Sequence, residues 1–141
     1  MSNKSISLVL DMALASTLVA RDVDHALGSH HGIGLSDFAL LLELDSVPER
    51  KMRRVELANR LGITTSGVAR QLGPLERRGI VTRESNPADA RLALVVLTGA
   101  GAKLVEQALP TAQEGAERAL LARWSRVEQE RLGRLLSKVR S

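Results

Sequence analysis

The sequence predicts a mainly α-helical fold that contains one small β-hairpin. Leu, Val and Ala must supply the core, because the 141 residues include one Phe, one Trp and no Tyr, and such a core suits helices packed on helices. Two short segments with strand character, 80–83 and 91–97, flank the turn-rich sequence ESNPADA and predict the hairpin. At this length, with 44% hydrophobic residues, we expect a single domain.

The composition excludes several classes of protein. There is no Cys, so a disulfide framework, thiol sensing and thiolate metal sites are ruled out. No basic N-terminal segment leads into a long apolar run, and no apolar stretch reaches about 18 residues, so we expect a cytoplasmic protein without a membrane span. We expect neither an enzyme nor a cofactor, because we find no nucleophile–base pair, Gly-rich phosphate loop or metal-ligand spacing.

The segment 55–75 predicts two helices joined by a tight turn. Its Ala58, Gly62 and Val68 have the spacing of a helix-turn-helix motif. The small Ala58 lets the second helix cross closely, Gly62 provides the positive φ that ends the first helix, and Val68 packs between the two. An ordinary αα-hairpin in a helical domain is the alternative, and the residues that follow the motif favour the first interpretation.

The second helix of this segment is predicted to begin after Thr64, a good N-cap residue. Its outward side carries short polar side chains and then an Arg. Such a surface fits a DNA major groove, because short residues allow close approach and Arg binds guanine or phosphate. We expect Pro74 to kink the helix beyond this surface. The predicted DNA-contacting residues here are Thr64, Thr65, Ser66, Arg70 and Gln71.

Positive charge is concentrated on the same part of the chain. Residues 50–91 carry ten basic and four acidic side chains, net +6, whereas residues 1–49 carry two and seven, net −5. A basic surface that coincides with the motif indicates contact with phosphate. The alternative is a solvated basic face, which is common in Arg-rich proteins.

The hairpin that directly follows the motif is interpreted as a wing. Arg83 and Arg91 lie on its two sides, and Asn86 and Asp89 lie between them. We predict that these four residues contact DNA. A structural alternative for Arg91 is a pairing with Asp89 that stabilises the hairpin, and the two roles are compatible.

The helices at both ends are predicted to join two subunits. From Ser5 to Leu27 the apolar residues cover more than one face of a helix, and a domain of this size has little core in which to bury them, so we predict a subunit interface here. The last helix opens with a capping box, Ser125 and Glu128, and has a basic outer face. We interpret that face as solvated, opposite a dimer seam; a helix lying on a membrane surface is the alternative.

The region after the first helix contains the three histidines. Gly28 is expected to end this helix, which leaves the segment 29–35 as a loop that holds His30 and His31, one turn after His25. A metal-binding or pH-sensing site is one hypothesis, and polar loop residues are the other. We predict no metal site, because no carboxylate or Cys stands beside them at ligand spacing.

Capping and breaking residues predict the remaining helix boundaries. Ser36 is expected to cap a short buried helix, and the charged segment 49–54 to lead into the helix-turn-helix, with Met52 beginning its apolar face. Thr98 is expected to cap the helix after the hairpin, and Pro110 to interrupt or kink that helix.

The order of these elements resembles the MarR family of bacterial winged helix-turn-helix repressors. Within residues 55–101 the chain has, in order, the four pieces of the family pattern: ELANRLG, LERRGIVTR, DAR and LTGAG. The flanking helices match in number and length, so the resemblance covers nearly the whole chain. It implies a homodimer whose first and last helices intertwine, with one recognition helix in a major groove and one wing beside a minor groove for each subunit.

The resemblance also implies roles for particular residues. It places Thr65, Ser66 and Arg70 where the family reads bases or phosphates. It directs Arg91 at the minor groove, with Asp89 orienting it. Two positions depart from the family: a second Arg is frequent where this chain has Ala, at position 90, and a Gly-Pro pair at 73–74 replaces a more regular helical pair.

The family commonly responds to small molecules, often aromatic acids bound between the dimerisation helices and the DNA-binding lobe. The resemblance implies such an effector here, near the three histidines and Phe38. We therefore expect a sequence-specific dimeric repressor that binds a pseudo-palindromic operator in double-stranded DNA and is released by a small ligand. Residues 1–34 and 99–141 would form the dimerisation region, and residues 35–98 the winged lobe. The alternative is an architectural or protein-interaction winged-helix module without a ligand.

Overall fold

The structure of the protein, a computed structural model, describes residues 3–89 and 92–140 and confirms a mainly helical fold with a small sheet. In chain order its elements are α1 Lys4–His31, α2 Leu35–Asp45, β1 Lys51–Arg53, α3 Arg54–Leu61, α4 Thr65–Arg77, β2 Val81–Glu84, β3 Leu94–Leu97, α5 Gly99–Leu121 and α6 Arg126–Arg140. A short 3-10 turn, Pro48–Arg50, connects α2 to β1. The sheet is antiparallel, with β3 between β1 and β2.

A Leu-rich core joins α2, α3, α4, the sheet and α5. Leu41 and Leu44 of α2, Leu57 of α3 and Leu72 of α4 are fully buried. Each such side chain contributes about 1.5–3 kcal/mol to folding. Among the described residues no charged or polar side chain is buried, so the polar chemistry of this part of the chain lies at its surface.

Helices α1 and α5 pack closely through small side chains. A Cβ on Gly115 of α5 would lie 3.6 Å from the Cβ of Ala26, and Val23 and Leu27 are the buried residues of α1. The first half of α1 is different, because its apolar side chains are 37% to 61% exposed: Ile6, Leu8, Val9, Leu10, Met12, Leu14 and Leu18. Helix α6 has no buried residue and scarcely touches the rest of the described chain.

Helix α1 ends further along the chain than predicted. Gly28 continues the helix, and Gly32 ends it with a φ of 68°, a left-handed conformation that costs little without a Cβ. His30 and His31 therefore belong to α1, and the predicted loop over 29–35 is wrong.

Helix α2 begins at Leu35, so the prediction of Ser36 as its N-cap is wrong. Two carboxylates each accept a hydrogen bond from one backbone N–H group at this end. Asp37 accepts a hydrogen bond from the Gly34 N–H at 3.2 Å, and Asp24 of α1 accepts one from the Leu35 N–H at 2.6 Å. Because Asp24 lies on the preceding helix, no local capping pattern in the sequence indicates this contact.

Strand β1 was not predicted, since the segment 49–54 was expected to lead directly into a helix. Lys51 pairs with Val96 and Arg53 with Leu94, and Met52 is buried. A three-residue strand whose partner is distant along the chain leaves no periodicity to read. The second hairpin strand also begins later than predicted, at Leu94 instead of 91.

Two predicted caps are confirmed. Thr98 Oγ1 accepts from the Gly101 N–H at 3.0 Å. At α6 the Ser125 N–H donates to Glu128 Oε1 at 2.9 Å, and the Glu128 N–H donates to Ser125 Oγ at 3.2 Å. The hydrogen bond from the Ser125 N–H to the carboxylate, and after it a side-chain hydrogen bond from Ser125, hold the pKa of Glu128 below its usual range. Helix α5 continues through Pro110, which does not interrupt it, and α4 likewise continues through Pro74.

Within the described ranges no helix has both the length and the apolar character that crossing a membrane requires.

Candidate nucleic-acid interface

The turn of the helix-turn-helix is fixed by backbone hydrogen bonds and one capping side chain. Gly62 ends α3 with a φ of 68°, and the next N–H, of Ile63, donates to the Ala58 carbonyl at 3.1 Å. Thr64 then begins α4, because its Oγ1 accepts from the Gly67 N–H at 3.0 Å, and the predicted N-cap is confirmed. The start of α4 is thus fixed relative to the end of α3.

Helix α4 has a buried face and an exposed face. The buried residues are Val68, Leu72 and Leu75. Thr65, Ser66 and Arg70 are exposed, and Ser66 Oγ lies 3.2 Å from Thr64 Oγ1. Arg70 makes no hydrogen bond or ion pair with any described residue. The exposed face therefore presents hydroxyl groups and one uncommitted guanidinium, which together can donate to and accept from base edges.

Gln71 is already engaged within the protein. Its Nε2 donates to Asp37 Oδ1 of α2 at 3.1 Å, and the residue is half-buried between the two helices. A contact between Gln71 and DNA stays a prediction, and it would require the amide to leave Asp37.

Arg83 connects the wing to α4. Its Nε donates to Glu76 Oε1 at 2.7 Å, with both side chains partly exposed. Exposed ion pairs contribute about 0–1 kcal/mol, so a phosphate could replace Glu76 at small cost.

Asn86 shapes the tip of the wing. Its Oδ1 accepts from the Ala88 N–H at 2.9 Å, and its carbonyl accepts from the Asp89 N–H at 3.2 Å. This is the local turn that Asn side chains favour. Arg91, the remaining predicted wing residue, lies outside the described residues, so its contacts stay predictions.

The cations of the basic segment divide into paired and unpaired groups. Lys51 Nζ lies 2.9 Å from Glu49 and 3.3 Å from Glu84, and hydrogen bonds to these two carboxylates raise its pKa. Arg60 is paired in the same way. The described cations of residues 50–91 with neither an ion pair nor a hydrogen bond are Arg53, Arg54, Arg70 and Arg77. Sequence reasoning singled out only Arg70, because a charge count does not separate paired from free cations.

Two of the histidines make hydrogen bonds, one within α1 and one from α1 to α5. His30 Nδ1 donates to the Ala26 carbonyl at 3.0 Å, and His31 Nε2 is hydrogen-bonded to Thr111 Oγ1 at 2.8 Å, which links α1 to α5. Within residues 3–89 and 92–140 no group of three His, Cys, Asp or Glu side chains is placed to hold a metal ion. A pH-sensing role for these residues stays one of the two hypotheses.

Two open clefts border the region where an effector is expected. One of about 440 Å³ lies between α1 and α5 beside His25 and Arg118. The other, of about 450 Å³, lies between the end of α1 and α4, beside Arg70 and Pro74. Phe38 is 4% exposed and lines neither cleft, because it belongs to the core.

Comparisons of sequence identify regulators of transcription as relatives. A family model described as the MarR family matches residues 31–92. YxaD of Bacillus subtilis (strain 168), an uncharacterized HTH-type transcriptional regulator, is 31% identical over 104 residues, which are 74% of this chain and 71% of YxaD.

Comparisons of structure give the same result over nearly the whole chain. Sco3205, a MarR family transcriptional regulator from Streptomyces coelicolor in complex with DNA, has a TM-score of 0.83 at 27% identity, and the match covers 99% of this chain and 87% of that one. A mutant of MarR from E. coli complexed with operator DNA has a TM-score of 0.81 at 27% identity, with 97% and 96% covered. Both of these similar proteins were solved with DNA bound.

Proposed function

This chain belongs to the MarR family of DNA-binding transcriptional regulators, and we propose that it is a homodimeric repressor of a pseudo-palindromic operator, released by a small ligand. Members of the family are transcriptional regulators and not enzymes. We place its action on chromosomal DNA in the cytoplasm. The observation that carries the proposal is an exposed polar face on α4 in a chain whose α1 and α6 have apolar faces with no partner among the described residues.

The apolar faces of α1 and α6 support a homodimer. The first half of α1 exposes seven large apolar side chains, and α6 exposes four more: Val127, Leu135, Leu136 and Val139. Burying an apolar side chain of this size stabilises a complex by about 1.5–3 kcal/mol, so leaving them in water forgoes a large free energy. A second copy presents the same two helices, and an interface with two-fold symmetry would cover both sets.

The outer face of α4 is placed to enter a major groove. Thr65, Ser66 and Arg70 would face base edges, and the backbone N–H groups at the start of the helix, next to Thr64, would donate to a phosphate. In a two-fold dimer the half-sites would be about one helical turn (~10 bp) or a multiple of it apart.

The wing would contact the neighbouring minor groove. Asn86 and Asp89, at its tip, would contact that groove together with Arg91, which lies outside the described residues, and Arg83 at its base would contact the phosphate backbone. Gln71, held by Asp37, would assist only if that hydrogen bond opens.

We propose that the releasing ligand is a small aromatic acid that binds between the dimerisation region, residues 1–34 and 99–141, and the winged lobe, residues 35–98. The support for this is the family membership and the clefts that border α1. A thermal-shift screen of aromatic acids tests it. A hit is expected to weaken DNA binding at the concentration that raises the Tm, and a hit without effect on DNA binding would contradict the proposed release.

Competition binding separates specific regulation from the alternative of an architectural module. The labelled DNA is the segment upstream of the protein's own gene, and the competitor is random duplex at equal length. We expect upstream DNA to bind at least about 1000-fold more tightly than random duplex. Equal affinity for both duplexes, or none for either, would contradict a sequence-specific repressor.

Sedimentation of α1 variants tests the homodimer. Leu10 is 61% exposed in the chain, so Leu10→Asp leaves the monomer core intact and is expected to give monomers. Val55 on α3 is similarly exposed, at 59%, and Val55→Asp is the matched control that should remain dimeric. A wild-type monomer at micromolar concentration would contradict the proposal.

A further inference from the structure

Gln71 and Arg78 tie α4 to the junction of α1 and α2. Arg78 follows α4 directly, and its Nη1 donates to the Gly32 carbonyl at 3.0 Å while its Nη2 donates to the His31 carbonyl at 3.2 Å. Gln71 donates to Asp37 at 3.1 Å. A separation of seven residues is about two helical turns, so both side chains project from the same face of α4. We call these two connections the clamp.

The junction of α1 and α2, which the clamp holds, is fixed by hydrogen bonds of its own. Asp37 also accepts from the Gly34 N–H at 3.2 Å, and Asp24 of α1 accepts from the Leu35 N–H at 2.6 Å. The last carbonyls of α1 have no partner further along their own helix, and they carry the negative end of its dipole. The planar guanidinium of Arg78 donates to two of them at once, so it caps α1 from the DNA-binding lobe.

Pro74 increases the importance of these connections. It lies between Gln71 and Arg78 and has no N–H to donate to the Arg70 carbonyl, so α4 lacks one of its own hydrogen bonds there. The clamp supports the helix on both sides of this point. Through these hydrogen bonds a shift at the end of α1 would be passed to the exposed face of α4.

We propose that Arg78 and Gln71 are positioning residues for DNA recognition, which transmit the orientation of α1 to α4 and make no contact with DNA as long as the clamp is closed. This rests on the proposed function, because α1 would set the two-fold relation between subunits and the clamp would then set the separation of the two reading helices. Arg77 provides the contrast, since it is adjacent, exposed and unpaired within the described chain.

The test compares Arg78→Ala, Arg78→Lys and Arg77→Ala in DNA-binding titrations over a range of salt concentrations. The duplexes carry the wild-type half-sites at the preferred spacing and with one base pair added or removed. For Arg78→Ala we expect about a tenfold loss on the preferred duplex and a much smaller loss on the altered ones, so that spacing preference falls. The slope of log affinity against log salt should not change. Arg78→Lys keeps a cationic donor but lacks the rigid fork that fixes both carbonyls, so it should restore part of the preference, and Arg77→Ala should keep all of it.

Two results would overturn the proposal. If Arg78→Ala loses affinity equally on every duplex and lowers the salt slope by about one, Arg78 contacts phosphate. If Arg78→Ala binds like wild type, the clamp has no role in recognition. If circular dichroism shows that Arg78→Ala does not fold, the spacing preference and the salt slope of Arg78→Lys test the proposal instead.

Hydrogen exchange tests the clamp in the absence of DNA. A wrong proposal about the clamp can therefore be distinguished from a wrong proposed function. The amides of residues 65–71 are expected to exchange faster in Arg78→Ala than in Arg77→Ala. Equal exchange in both variants would mean that no clamp holds α4. A wild-type protein without a preferred duplex would instead contradict the proposed function.

Discussion

Replacing Gly101 with Ala tests the joint between the winged lobe and α5. Gly101 is buried in the first turn of α5, where a Cβ would overlap the carbonyl oxygen of Ile80 and lie 2.5 Å from Leu97 Cδ1. The Ile80 oxygen already accepts hydrogen bonds from the Thr98 N–H at 3.1 Å and from Thr98 Oγ1 at 2.9 Å. A backbone oxygen held in this way cannot turn aside, so α5 has to move away from the start of β2.

The expected loss of stability follows from two opposing terms. Overpacking a core site costs about 1–3 kcal/mol, and the upper end applies because the obstructing atom belongs to the backbone. Ala in place of Gly in a helix returns up to about 1 kcal/mol. The free energy of unfolding should therefore fall by about 2 kcal/mol, which for a chain of 141 residues lowers the Tm by roughly 6–10 °C.

Urea denaturation followed by circular dichroism measures this loss at a fixed protein concentration. Gly99→Ala is the matched control, because it lies in the same helical turn and its Cβ would meet nothing within 4 Å. We expect Gly99→Ala to be as stable as wild type or up to about 1 kcal/mol more stable. Equal stability of Gly101→Ala and Gly99→Ala would refute the close packing of α5 on Ile80.

Three further experiments test separate parts of the chain. Thr64→Ala removes the N-cap of α4 and should lower the unfolding free energy by about 1 kcal/mol in the same denaturation assay; no change would mean that the cap is not formed in solution. Ser66→Ala and Arg70→Ala should alter the bases selected from random duplexes, whereas Arg91→Ala should weaken binding to all duplexes and lower the salt slope by about one; selection identical to wild type would exclude base reading. The lowered pKa of Glu128 means that its stabilising effect is present above the unfolded pKa of about 4.3 and is lost as pH falls through the folded value. The stability difference between wild type and Glu128→Gln should therefore disappear on acidification, and a constant difference would contradict the capping box.

Local hydrogen bonds explain why the helix-turn-helix could be predicted from the sequence. The left-handed residue at Gly62 and the caps at Thr64 and Thr98 each involve residues within a few positions of one another. Such contacts leave a signature in consecutive residues, and the predicted turn and the predicted caps at Thr64 and Thr98 are found in the structure.

The features that could not be predicted depend on residues far apart in the chain. Strand β1 exists only because β3 lies beside it. Asp24 caps α2 from another helix, and Arg78 reaches the Gly32 carbonyl 46 positions earlier. Gln71 carries a side chain suited to base reading, yet it is occupied by Asp37. Composition and spacing show which side chains could bind DNA or cap a helix. Only the folded chain shows which of them are already bound to other protein groups.

The number of chains bound to one operator is the most direct test of the proposed repressor. Light scattering of the complex, with upstream duplex titrated at a concentration well above Kd, gives this stoichiometry. We predict two chains on each pseudo-palindromic site, with an affinity that falls steeply between about 50 and 200 mM salt. One chain on each duplex, or binding that is indifferent to sequence, would contradict a dimeric, two-groove reader of DNA.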